Sequence, residues 1–410
     1  MKKILSVLLA AALLLPALGA LAQEEVTLTF WHHYNAQSAE NKTLTEVLIP
    51  AFEAQNPGIK VNAVSHEWDE LHKKILISAD TQQLPDVARC DIAWLPEFEN
   101  MNILAQLDTE MADFSEVSGA LLEGPMSTAN VGGHYYGLAL NTNTKILFYN
   151  KSLFEAVGLT PPATMEEFFD AALKLTTEGS QKVWGYGEPA LAGWNILPFI
   201  WSNGGDITDS ACTVSSGYIN SDASVEIIQK LADLYKAGAM VGFSSGDIPL
   251  TDGYGMGRYA MIIEGPWKFA ELAGAYPQFE AVTAQMPAGK GGSAQVLGGE
   301  DIVMFSTAKK DAAWKFMQFM TSKESQIAMA KVGQIPVNKE AVDAPEVQEI
   351  GNFGPFLTAI KSAKARPPVA VWSEMDNALT GAVTLAITGE KPVKQAMDDL
   401  AAELDALLKK

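Results

Sequence analysis

The chain has 410 residues, with 29 basic against 49 acidic side chains and a formal net charge of −20. That balance argues against nucleic acid or anionic lipid as partners. A hydrophobic content of 48% excludes wholesale disorder, and two cysteines are too few for a disulfide scaffold.

The chain opens on the pattern of an export signal. Lys2-Lys3 is followed by an apolar run from Ile4 to Leu15 and by Ala20-Leu21-Ala22 before Gln23. The run is broken at Pro16 and is short for a membrane span, which needs roughly 20 residues. Cleavage is expected after Ala22. With Gln23 rather than Cys at the cut, no lipid anchor is expected, and the chain should work in the periplasm. Removal of 22 residues from 410 leaves 388, which suggests two to three domains.

Val26–Phe30 alternates and is β-rich, so it reads as a strand ending on Trp31. Residues Asn41 to Gln55 have helical spacing, ended by Pro57-Gly58, and Ile59–Val64 is a second strand. Leu71–Ser78 is helical, and Pro85-Asp-Val87 opens a third strand leading to Trp94. Lys145–Tyr149 reads as a strand running into a helix stopped at Gly158. Thr164-Met-Glu-Glu167 matches a capping box, with Thr164 as N-cap of a helix to Leu175. Ser221–Tyr235 is helical, Ala260–Glu264 is an apolar strand, and Pro287–Ser293 is a glycine-rich turn. Ile302–Phe305 is a further strand, and helices follow at Ala312–Met320, Glu324–Lys331 and Ala396–Leu408. Strands alternating with helices imply mostly parallel sheets. No fixed-period repeat and no eightfold series of a sugar-cleaving barrel is present.

Five of the nine tryptophans stand at the ends of apolar runs: Trp31, Trp94, Trp194, Trp267 and Trp372. An indole there can present a flat face to a ligand, whereas a core tryptophan belongs inside an apolar stripe. Sugar rings fit such faces. Half-buried packing is the competing reading for each one.

Catalytic and cofactor motifs fail on spacing. His32-His33 should point to opposite faces, and His66 and His72 do not have the spacing of a zinc protease. Gly253-Tyr-Gly-Met-Gly257 is not a dinucleotide fingerprint, so no cofactor and no metal is expected. The enzyme alternative is a secreted polysaccharide-active glycosidase with two carboxylates. Glu300-Asp301 tempts, but adjacent strand residues face opposite sides, and Glu374 and Asp376 equally suit the start of a helix. Cys90 and Cys212 are expected as free thiols.

Taken in order, several segments resemble the solute-binding proteins of ATP-driven sugar importers, the maltose-binding-protein type. They are Leu84-Pro-Asp-Val87 with Asp91-Ile-Ala-Trp94, Phe148-Tyr-Asn-Lys151, Thr164-Met-Glu-Glu-Phe168, Leu197-Pro-Phe-Ile200 with Asn203-Gly-Gly205, Ala260–Trp267 and Gly333–Asn338. The resemblance implies an α/β, two-lobed periplasmic-binding-protein fold of type II. Each lobe would be a mostly parallel sheet flanked by helices, with the cleft between them. Residues 23–141 plus 299–335 would form one lobe, and 142–298 plus 336–410 the other. It implies a non-enzymatic receptor, monomeric, that delivers a mono- or oligosaccharide to an inner-membrane ABC permease. Carried over residue by residue, the contacts would be Trp31, His33, Asp91, Trp94, Asn143, Trp194, Asn195, Trp267, Gly299, Glu300, Arg366 and Trp372. The chain departs from maltose binders at His32–Asn35, at Ala93-Trp94 and at Asn143, so maltose is not the expected sugar, whereas a neutral sugar or oligosaccharide is.

Overall fold

The computed structural model describes residues 25–409; the export signal lies outside them. Two five-stranded sheets organise the chain. The first has the order Ile59–Ser65, Val26–His32, Val87–Asp91, Gly298–Met304, Gly137–Asn143. Only Gly298–Met304 runs against its neighbours. The second has the order Val282–Ala284, Ile146–Tyr149, Tyr259–Glu264, Trp184–Gly187, Met240–Val241, and here Ile146–Tyr149 is the reversed strand. Four strands of five therefore share a direction in each sheet, as expected for a mostly parallel architecture.

Each sheet is covered by helices, and each has its own core. Leu28, Phe30, Val87 and Ile302 meet Phe52, Phe98 and Phe316 in the first. Leu147, Tyr186 and Met261 meet Phe168, Ile228, Leu379 and Met397 in the second. Ile146, Phe148 and Ile262 point to the opposite face of the second sheet, where they meet Phe353 and Phe356. The strands carry this burial because both faces are covered, which favours continuous apolar runs over alternation.

Local signals explain the helix starts. Thr164 accepts from the Glu167 amide, and Glu167 returns the bond to the Thr164 amide, so the capping box caps Met165–Leu175. Ser221 caps Asp222–Lys236 through the Ser224 amide. The helix expected from Asn41 to Gln55 is interrupted: Thr43–Leu48 is a π-helical turn between Ala39–Lys42 and Ile49–Gln55. Pro50 stands in the first turn after it, where its ring cannot continue an ordinary helix without displacing a carbonyl. Several helices give no clear signal in the sequence, among them Gly193–Ser202, Trp267–Ala275 and Phe353–Ile360. The first contains Pro198 and is apolar nearly all round, so it shows little helical contrast.

The chain passes between the sheets on extended segments. Gly137–Asn143 leads directly into Ile146–Tyr149, and Gln295–Val296 leads into Gly298–Met304. A third passage is pinned by β-bridges Thr142–Ile335 and Leu121–Asn338. Cys90 is buried in the first sheet, and Cys212 is half-buried in a loop; both are free thiols.

Candidate binding cleft

Parallel strands concentrate their ligand sites at their carboxyl ends. Both sheets do so here, and the ends face one cleft of about 430 Å³. His33 and Tyr34 follow Val26–His32, Asp91 ends Val87–Asp91, and Asn143 ends Gly137–Asn143. From the second sheet, Trp194 and Asn195 follow Trp184–Gly187, and Trp267 follows Tyr259–Glu264. The reversed strand supplies its amino end, Gly298 to Glu300.

Two arginines organise the polar wall. Arg89 and Asp91 share a face of their strand because side chains alternate. Arg89 Nη2 lies 2.8 Å from Glu300 Oε2, and Nη1 donates to a His33 ring nitrogen at 2.9 Å. Its guanidinium also lies 4.2 Å above the Tyr34 ring. Burial, and then the Arg89 charge, hold His33 well below the usual imidazole range, so it is the neutral acceptor this bond requires. Burial pushes the Glu300 carboxyl up, while Arg89 pulls it back. Arg366 comes from the segment ahead of Trp372–Ile387, a helix belonging to the second core. It holds Asp91 through both nitrogens, Nη2 to Oδ1 at 2.6 Å and Nη1 to Oδ2 at 3.4 Å, tying one side of the cleft to the other.

Indoles form the other kind of surface. Trp194 and Trp267 are half-buried, and Trp68 is 42% exposed with its indole N–H donating to Asp91 at 3.2 Å. Trp194 lies against Gly298, where a Cβ would come within 2.4 Å of the ring and 2.1 Å of Asn143 Oδ1. Trp267 folds over Gly265 in the same manner, with ring carbon Cη2 2.1 Å from where a Cβ would sit. Only glycine admits these rings so close to backbone.

Three buried polar atoms of the cleft wall have no partner: Asn143 Oδ1, Arg89 Nε and Arg366 Nε. Leaving such groups unpaired costs about 1–3 kcal/mol each. A bound molecule with hydroxyls, which donate and accept, would satisfy them.

Nine residues singled out from the sequence line this cleft: His33, Asp91, Asn143, Trp194, Asn195, Trp267, Gly299, Glu300 and Arg366. Three do not. Trp31 packs edge-on against His66 under the Lys74 ammonium, and Trp94 sits in a cluster with Trp68, His72 and Phe98. Trp372 opens its helix with its ring against Gly193, inside the second core. Standing at the end of an apolar run did not separate these three from the exposed indoles. Asn195 lines the cleft, but its amide donates to the buried Glu188, which also accepts from the Tyr186 hydroxyl. Of Glu300 and Asp301, only the first faces the cleft; Asp301 is fully buried beneath Thr128, which lies 3.2 Å from both its oxygens.

Sequence reasoning missed Tyr34, Glu40, Trp68, Arg89, Glu271, Gln334 and Asp376. Arg89 gave a usable signal, being a charge inside the apolar run Val87-Ala-Arg-Cys. Asp376 receives the Gly193 amide at 2.6 Å, a partner 183 residues away that no local pattern reveals.

Comparison with known proteins bears on this geometry. Residues 48–355 match the family model for the bacterial extracellular solute-binding protein. The chain is 27% identical over 389 residues to a protein of Brucella abortus, covering 91% of this chain and 92% of that one. It is 23% identical to the sn-glycerol-3-phosphate-binding periplasmic protein of Escherichia coli over 431 residues, 96% of this chain and 95% of that one. Among solved structures, a Thermotoga lettingae ABC-transporter solute-binding protein bound with α-D-tagatose superposes with a TM-score of 0.85 at 24% identity. That match covers 94% of this chain and all of the other. The GacH receptor of Streptomyces glaucescens, solved unliganded and with acarbose, gives 0.84 at 23%, covering 94% and 99%. The two-lobed fold is thereby established, and a binding role displaces the glycosidase alternative. Its sequence places this chain in the family of bacterial extracellular solute-binding proteins.

Proposed function

We propose that the protein is a periplasmic receptor that captures a sugar or oligosaccharide between its lobes and hands it to an inner-membrane ABC permease. The carrying observation is the pairing of half-exposed indoles with unpartnered buried polar atoms in one cleft. Flat apolar rings suit the faces of a pyranose, and fixed polar atoms suit its hydroxyls. The tagatose-bound and acarbose-bound relatives support this reading. The first lobe would hold residues 23–141 and 299–335, the second 142–298 and 336–410. The mature protein would begin at Gln23, carry no lipid and act as a monomer.

A thermal-shift screen over mono- and oligosaccharides, run beside a chromogenic glycoside assay, tests the reading. A saturable rise in melting temperature without hydrolysis is the expected result. A ligand that binds both lobes should also reduce the radius of gyration, because a ligand moves an equilibrium only by its preference for one state. Hydrolysis, or no shift with any sugar, would refute it.

A further inference from the structure

The charges of the cleft do not balance. Five carboxylates line it, against two guanidiniums, and among the described residues no lysine lines it. Both guanidiniums are already engaged, Arg366 by Asp91 and Arg89 by Glu300. An arginine locked to a carboxylate at 2.6–2.8 Å has little field left for an incoming anion. The remaining acids are Glu40, Glu271 and Asp376. Glu271 has one cation beside it, Lys268 at 2.5 Å. Glu40 accepts from the Gln334 amide and has Ser38 beside it, and Asp376 accepts from the Gly193 N–H; each feels an arginine only from a distance, Arg89 and Arg366 respectively. These neutral donors orient a carboxylate without cancelling its charge.

The surplus comes from both sides of the cleft. Glu40 follows the first strand of the first sheet, whereas Glu271 follows the last long strand of the second, in the helix Trp267–Ala275. Each lies within the other's field, so closure round a ligand gathers like charges. Burial holds the Glu40 and Asp376 carboxyls above their usual range, with neighbouring acids adding to it and Arg89 and Arg366 offsetting part of it. Independently of the acids, Asn143 is only 7% exposed and lines the cleft with an acceptor, Oδ1, that nothing donates to. An ammonium supplies donors and positive charge together, and indole faces attract it further.

We propose that the solute is a sugar bearing a free, protonated amino group, and that anionic sugars and phosphate esters are turned away. This rests on the sugar-receptor reading above. The chain would then differ in ligand charge from the relative named for sn-glycerol 3-phosphate.

The test is a glycan array carrying glucosamine oligomers, their N-acetylated counterparts, neutral glucans and uronate oligomers, with sn-glycerol 3-phosphate and spermidine titrated in solution. Amino oligomers should bind at least tenfold more tightly than their N-acetylated forms, and the anions should not bind measurably. Glu40→Gln and Glu271→Gln should each cut the ratio of amino to N-acetylated affinity several-fold, whatever either does to binding overall. A melting curve reports that each variant is folded, and the wild-type array stands without either variant. Equal or better binding of neutral sugars would overturn the amino assignment and leave the sugar receptor standing. Binding of spermidine in place of every sugar, or no binding to any sugar, would overturn both.

Discussion

The two walls of the cleft are built on different principles. On the first sheet, polar groups interlock: Arg89 joins Glu300 and His33, while Asp91 receives Trp68 and, from across the cleft, Arg366. On the second, Trp194 and Trp267 lie close against glycines and keep part of each ring open. The interlocked wall fixes charge and geometry, so damage there should appear as lost stability. The indole wall carries less of the fold, although Trp194 also packs against the second core, and damage there should appear chiefly as lost affinity.

The comparison breaks most visibly at Arg89. Arg89→Met leaves the Glu300 carboxylate buried without its cation, which should cost about 3–5 kcal/mol of stability. Adding Glu300→Gln should recover much of that loss, because the uncompensated charge is gone. Chemical denaturation of the single and double variants measures both; a double variant no better than the single would mean that packing against Tyr34 dominates. Trp94→Ala belongs to the same class, since its ring is 2% exposed, and should cost about 3–5 kcal/mol.

Trp267→Ala and Trp194→Ala sharpen the other half. Each should weaken ligand binding by about 2–4 kcal/mol, roughly 30- to 1,000-fold, with the melting temperature nearly unchanged for Trp267→Ala and modestly lowered for Trp194→Ala, whose ring also packs against the second core. Calorimetric titration beside a melting curve separates the two effects, and a large stability loss with intact affinity would move that indole into the structural class. Gly298→Ala should act more mildly, by about 1–3 kcal/mol, because the new methyl pushes against the Trp194 ring and Asn143. Its signature is lost affinity with a largely retained fold.

The smallest effect tests the stability wall from beneath. Burial holds the Asp301 carboxyl well above its usual range, so the folded chain retains a proton that the unfolded chain releases. Raising pH through and beyond about 4, the ordinary aspartate value, therefore lowers stability. Asp301→Asn removes that titration. Its melting temperature relative to the parent should climb as pH rises from the acid range toward neutrality. A gap that is constant with pH would show that Asp301 is not the titrating group.

Much of the fold was legible because its signals are local. The capping box at Thr164–Glu167, the helix from Ser221 and the alternation of strands with helices depend on residues a few positions apart, and the structure bears them out. The π-turn at Thr43–Leu48 and the apolar helix Gly193–Ser202 escaped because neither leaves an ordinary helical period. For the cleft, strand ends pointed to the right loops, but could not separate Trp267 from Trp372. Both stand beside polar residues in the sequence, and only packing decides which ring reaches the core.

By itself the sequence determined the class of architecture, several helix starts and most strand ends, since hydrophobic period and capping act over one or two turns. Tertiary structure alone decided which indoles stay open, which carboxylates keep a cation and which buried atoms lack partners. Those outcomes turn on contacts such as Arg366 with Asp91, 275 residues apart, and Asn141 with Glu300, 159 apart. Charge and burial at such distances are properties of the assembled sheets, because desolvation and Coulomb energy depend on who is nearby in space and not on who is next in the chain.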